Sequence, residues 1–158
     1  MSKVIITQGP SGSGKSTYIK NNYPNAKVFS ADHYFMIDDK YCFDPTKLGE
    51  AHKTCLRKFT NEIIKLVSAS NTLFPMLESD SVLVVDNTNT QLWEMSPYIQ
   101  IAAAYGFSVE VIRCKCDTAK AAARNTHGVP AKAVEAMAAR MQSPLPFWAC
   151  SFKEVNTD

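Results

Sequence analysis

The run Gly9-Pro10-Ser11-Gly12-Ser13-Gly14-Lys15-Ser16 constrains this chain more than any other stretch. It fits the spacing G-x-x-x-x-G-K-[ST] at every fixed position. Upstream, Lys3-Val4-Ile5-Ile6-Thr7-Gln8 reads as a short buried strand, and downstream Ser16-Thr17-Tyr18-Ile19-Lys20 can start a helix. Glycines at a strand-to-helix turn let the backbone wrap closely around a polyphosphate, while exposed N–H groups and the positive helix end attract the anion. Gly9 through Thr17 are therefore the expected nucleotide loop. Lys15 would reach the terminal phosphates of ATP, and the Ser16 hydroxyl would ligate Mg²⁺.

A length of 158 residues predicts a single domain over 1–158. With 46% apolar and 20% charged residues it reads as globular, and no apolar run approaches the ~18 residues that span a membrane. Met1-Ser2-Lys3 leads at once into the first strand, which predicts a cytoplasmic protein with no secretory leader. Cys42, Cys55, Cys114, Cys116 and Cys150 form no C-x-x-C pair, so small core residues are expected rather than a disulfide framework. A net charge of +2 neither demands nor excludes nucleic acid. Lys53 and Arg57 share a helix face that could track a phosphate backbone or be a solvated surface.

Further along, Asn25 to Ser30 reads as a second strand that delivers Asp32 just past its end. Asp44 and Pro45 suit the start of a long helix whose core stripe is Leu48, Cys55, Phe59, Ile63 and Leu66. Asn71 to Asp80 breaks the pattern and reads as a loop or helical turn. Ser81 to Asp86 is an apolar run ending in an acid, as in a parallel strand covered on both faces. Ser96-Pro97 predicts the next helix, through Tyr105, and Val109 to Cys114 the next strand. Asp117 can cap a helix from Thr118 to Arg124. A loop from Asn125 to Pro130 leads into another helix, with Val134, Met137 and Met141 inward, and Phe147 to Phe152 reads as a last strand. Alternating strands and helices predict an α/β fold: a three-layer sandwich with a mostly parallel five-stranded sheet. Ligands of such sheets bind beyond the C-terminal strand ends, which gathers the loop at Gly9 to Ser16, Asp32 and Asp86 along one edge.

Those positions suit phosphoryl transfer. Asp86 is placed to hold magnesium beside the phosphate loop, or to cap the turn Asn87-Thr88-Asn89. Asp32 can take the proton from an attacking hydroxyl, or cap a helix. Arg124 ends a helix beside a Gly-containing loop, so it can be a lid cation that stabilises charge on the transferred group, or a surface arginine. Residues 118–141 form the expected lid.

The segments Gly9 to Thr17, Phe29 to Phe35, Val85 to Asn89 and Arg124 to Pro130 resemble the kinase domain of bacteriophage polynucleotide kinase and its relatives. These relatives include small ATPase-like proteins with the same Asp-Asn-Thr-Asn turn. The resemblance implies a P-loop kinase that moves the γ-phosphate of ATP, with magnesium, to a hydroxyl on a nucleic acid, DNA before RNA. Asp32 would be the general base, Lys15 and Ser16 would hold ATP and metal, and Asp86 would support the acceptor site. The family's lid arginine falls closer to His127 than to Arg124. Where the phage enzyme carries a phosphate-gripping arginine this chain has Phe35, whose ring would stack on a base or only pack. That departure raises the viral kinases that phosphorylate the hydroxymethyl group of modified pyrimidines within DNA. The alternatives are a small-molecule kinase for nucleosides or nucleotides and a non-catalytic ATP-binding module. No membrane and no obligate protein partner are expected.

Overall fold

The structure, a computed structural model, describes residues 2–69 and 81–158. The stretch read as a loop from Asn71 to Asp80 lies outside the described residues. Strand β1 (Lys3–Gln8) occupies the centre of a five-stranded parallel sheet of order β2-β5-β1-β6-β7. It pairs with β5 (Val82–Asp86) and β6 (Ser108–Lys115), while β2 (Lys27–Phe29) pairs with β5 and β7 (Ser151–Asn156) with β6 at the two edges. Side chains alternate along each strand, so Val4 and Ile6 face one layer and Ile5 the other. Helices α2 (Leu48–Ala69) and α3 (Leu92–Ala104) cover the first face through Phe59, Ile63, Met95 and Ile99. Helix α1 (Lys15–Asn22) covers the second through Ile19, against Ile5, Val84 and Ile112. The expected three-layer α/β architecture is what forms, because the strands are apolar on both sides.

Four local expectations change. Helix α3 begins at Leu92, not at Ser96-Pro97. A capping box between Gln91 and Glu94 supplies its N-terminal partners, and Pro97 lies inside, where its missing N–H frees the carbonyl of Trp93, a residue 70% exposed. Strand β7 begins where the predicted one nearly ended. Phe147 is 81% exposed, Trp148 packs on the core, and the polar residues that follow pair with β6 through Lys153–Glu110 (3.0 Å) and Arg113–Glu154 (3.3 Å). A hairpin, β3 (Met36–Ile37) and β4 (Lys40–Tyr41), turns through Asp38 and Asp39 at φ 47° and 61°. Asp-Asp is a weak cue for such a turn, which asparagine and glycine favour, so the hairpin carries no strong sequence signal. Asp44 does cap, as expected, but the turn it caps is a 3-10 turn, Pro45–Lys47, ahead of α2.

All five cysteines are free. Cys55 and Cys114 are core residues as expected, whereas Cys42 is exposed. No helix among the described residues is long and apolar enough to cross a membrane.

Candidate functional site

At the C-terminal ends of β1, β2 and β5 a cavity of about 770 Å³ opens, lined by the Gly12–Ser16 loop, Asp32, Tyr41, Asp86, Arg124 and His127 among others. The strands end there because glycine breaks β1 and polar turns end β2 and β5. Gly12 and Gly14 adopt φ of 79° and 83°, which gives the loop its curl before α1. The loop also fits closely against helix α4 (Thr118–Arg124): a Cβ on Gly12 would lie 1.9 Å from the Ala121 carbonyl oxygen.

The loop suits an anion. The first N–H groups of α1 have no intrahelical partner, and its cap residue, Gly14, offers them no side-chain acceptor. Ser13 Oγ is buried without a partner among the described residues. Lys15 Nζ donates to the carbonyls of Gly9 and Pro10, both at 2.9 Å. Burial pulls the Lys15 pKa down, against the attraction of Asp86, Cys114 and Asp32.

Asp86, the last residue of β5, accepts from Ser16 Oγ at 2.6 Å and from Thr7 Oγ1 at 2.9 Å. A serine hydroxyl and a carboxylate side by side are hard oxygen donors. They suit a magnesium ion that takes its other ligands from water and phosphate. Thr7, paired with Asp86 in the sheet register, was not foreseen; its signal was the polar end of an otherwise apolar strand.

Asp32 belongs to a 3-10 helix, Ala31–Phe35, that Ser30 caps by accepting from the Asp32 N–H. Asp32 is therefore not the cap, and its carboxylate is free for other work. Tyr41 of β4 donates its hydroxyl to Asp32 Oδ1 at 3.0 Å, and His127 Nε2 stands 3.6 Å from Oδ2. The Tyr41 and His127 rings lie 4.3 Å apart. Burial, then the Asp32 charge and hydrogen bond, raise the Tyr41 pKa, so the phenol remains a donor.

The turn 86–89 joins these parts. Asn87 Oδ1 accepts from the Ala31 N–H at 2.8 Å, which seats the Asp32 helix, and the Thr88 carbonyl accepts from the Gly9 N–H at 3.0 Å, which seats the phosphate loop. Asn89, at φ 46°, donates to the Thr7 carbonyl at 2.7 Å.

Two expected site residues are placed differently. Phe35 is 2% exposed, boxed by Tyr34, Tyr41 and Phe43 and packed with Ala51, so its faces are not open to a base. It supports Tyr41 instead of meeting substrate. Arg124 reaches the cavity, but its Nη1 donates to the Thr157 carbonyl at 2.8 Å, beside the phosphate loop. Of the expected lid, α4 and α5 (Ala131–Ala139) pack on each other. Just past α5, Arg140 is tied to Thr90 at 3.0 Å.

Residues 4–144 match the AAA domain family. Human NEDD4-binding protein 2 is 29% identical over 141 residues, which cover 85% of this chain and 7% of that protein. The chain thus spans a small fraction of that relative's length. Among solved structures, a sugar kinase from Janibacter sp. HTCC2649 superposes with a TM-score of 0.57 at 13% identity, over 99% of this chain and 86% of that one. The Mycobacterium tuberculosis APS kinase CysC, solved with AMPPNP and APS, superposes with a TM-score of 0.56 at 14% identity, over 99% and 89%. The shared feature is the fold of small P-loop kinases.

Proposed function

The chain belongs to the AAA domain family through residues 4–144, and we propose that it is an ATP-dependent phosphotransferase acting on a hydroxyl of a small, uncharged molecule such as a nucleoside or a sugar. One observation carries this reading: a single cavity contains the phosphate loop with Lys15, the Ser16–Asp86 pair, and Asp32 at hydrogen-bonding reach of solvent. Lys15 and the loop N–H groups orient the phosphates of ATP. Ser16 and Asp86 would hold Mg²⁺, which neutralises charge on the transferred group. Asp32 receives the proton of the acceptor hydroxyl. Arg124, on the lid formed by residues 118–141, supplies a further cation once released from Thr157. A cytoplasmic setting fits this reading, since both ATP and Mg²⁺ are available there.

The choice of acceptor follows from charge. Among the described residues the Lys and Arg side chains lining the cavity are Lys15 and Arg124, both at the phosphate loop. Around Asp32 the lining is Ser30, His33, Met36, Tyr41, Asn87 and His127, with no Lys or Arg, and residues 1 and 70–80 contain none either. A polynucleotide 5′ end carries a phosphate close to its hydroxyl, and its grip calls for such a cation. The polynucleotide and hydroxymethyl-base acceptors implied by the resemblance therefore rank behind a small neutral one. The test is γ-labelled ATP with Mg²⁺ against a panel of nucleosides and sugars. Beside it run a 5′-hydroxyl oligonucleotide and a 5′-blocked one carrying hydroxymethyluracil. Label should appear on a small acceptor and fall by ~10²–10⁴ in Asp32→Asn. Label on an oligonucleotide alone would replace the acceptor class, no label on any acceptor would remove the kinase assignment, and an Asp32→Asn protein as active as the parent would remove Asp32 as the base.

A further inference from the structure

Asp32 has two carboxylate oxygens, and the fold treats them differently. Oδ1 accepts the Tyr41 hydroxyl at 3.0 Å, while among the described residues Oδ2 has His127 Nε2 alone, at 3.6 Å, beyond good hydrogen-bond distance. We propose that Tyr41 is a positioning residue for Asp32, engaging Oδ1 so that Oδ2 alone is presented to the acceptor hydroxyl. The inference rests on the phosphotransferase reading above and adds the residue that sets the base. In the transfer, the acceptor proton passes to Oδ2 as the acceptor oxygen bonds to the γ-phosphorus. The bond from that phosphorus to the β,γ-bridging oxygen breaks, and ADP leaves with the electron pair.

Tyr41 is held for this task. Its ring meets Phe35 at 6.1 Å and Phe43 at 6.3 Å on one side and His127 at 4.3 Å on another. The hairpin that carries it is anchored where the Cys42 N–H donates to the Phe35 carbonyl at 2.8 Å. His127 is delivered by a stitched turn: Asn125 donates to the carbonyls of Ala122 and Val129 and accepts from the Val129 N–H, each at 2.9 Å. A carboxylate fixed at one oxygen between two rings cannot rotate freely, so the orientation of Oδ2 is set before the acceptor arrives.

Tyr41→Phe removes the one hydroxyl that engages Oδ1 and so frees the carboxylate to rotate. The other titratable groups facing Asp32 are His127 from the loop after α4, His33 from its own helix, and Lys15 and Asp86 across the cavity. All four stay in place in Tyr41→Phe, which keeps the ring and its packing.

The experiment compares the parent with Tyr41→Phe by carboxyl carbon NMR, with Asp32→Asn assigning the resonance, and by kcat and KM on the best acceptor. The Asp32 carboxyl resonance should move when the hydrogen bond to Oδ1 is lost. At pH 7, kcat should fall about tenfold while the acceptor KM stays within about twofold. An unmoved resonance, or a rise in KM at constant kcat, overturns the positioning role and leaves the kinase assignment standing where the parent labels an acceptor and Asp32→Asn does not. An Asp32→Asn protein as active as the parent removes Asp32 as the base and the positioning role with it, whereas no label from the parent on any acceptor overturns the kinase assignment.

Discussion

The wall of the cavity that faces the phosphates takes its shape from backbone, whereas the wall around Asp32 takes it from side chains brought together from separate elements. On the first wall, glycines at positive φ, the start of α1 and the close approach of Gly12 to Ala121 set the geometry within a few consecutive residues. On the second, Asp32, Tyr41, Asn87 and His127 come from a 3-10 helix, a two-residue strand, a turn after β5 and a loop after α4. A wall made of contiguous backbone should fail all at once, while a wall made of side chains should fail one contact at a time.

The largest effect is expected on the second wall, at its buried support. Phe35→Ala empties a core position between Ala31, Ala51 and Tyr41 and should cost about 3–5 kcal/mol of unfolding free energy, read by denaturant titration. A change within about 0.5 kcal/mol would mean that Phe35 is not structural and would return it to the substrate side. Next comes Gly12→Ala on the first wall. The added Cβ meets the Ala121 carbonyl, and the positive φ is strained for alanine, so loop and α4 must part. Calorimetry with a non-hydrolysable ATP analogue should show affinity lower by about a hundredfold, with the Asp32 carboxyl resonance unchanged. Parent-like affinity would show that the loop tolerates separation from α4 and would weaken the contrast between the walls.

This contrast also explains what the sequence made legible. The phosphate loop is a contiguous pattern between a strand and a helix, and Gly9 to Ser16 could be read directly. Asp32 and Asp86 were readable because strand ends fall on one edge of a parallel sheet. The core strands β1, β5 and β6 announced themselves as apolar runs. Tyr41 was hidden because its approach to Asp32 depends on a hairpin whose Asp-Asp turn carries a weak signal. His127 was visible as a titratable residue in a loop, but its ring partner sits 86 positions away in sequence. Phe35 stayed open between stacking and packing because burial of one aromatic depends on where Tyr34, Phe43 and Ala51 fall, which local pattern does not encode.

A smaller effect, at the joint between the walls, sharpens the comparison further. Asn87 reaches the Asp32 helix through the Ala31 N–H, and its neighbour Thr88 reaches the phosphate loop through a backbone carbonyl. Asn87→Ala removes the first link and spares the second. It leaves the buried Ala31 N–H without its acceptor, a cost of about 1–3 kcal/mol. That penalty is relieved if the helix shifts toward water, which carries Asp32 away from Tyr41. The expected signature is a kcat lower by about tenfold, ATP affinity within about twofold of the parent, and an Asp32 carboxyl resonance moved as in Tyr41→Phe. Equal losses in kcat and ATP affinity would mean that the turn 86–89 transmits displacement to both sides. The two walls would then be one cooperative unit, and the backbone-built loop would owe its geometry to Asn87 as much as to its own glycines.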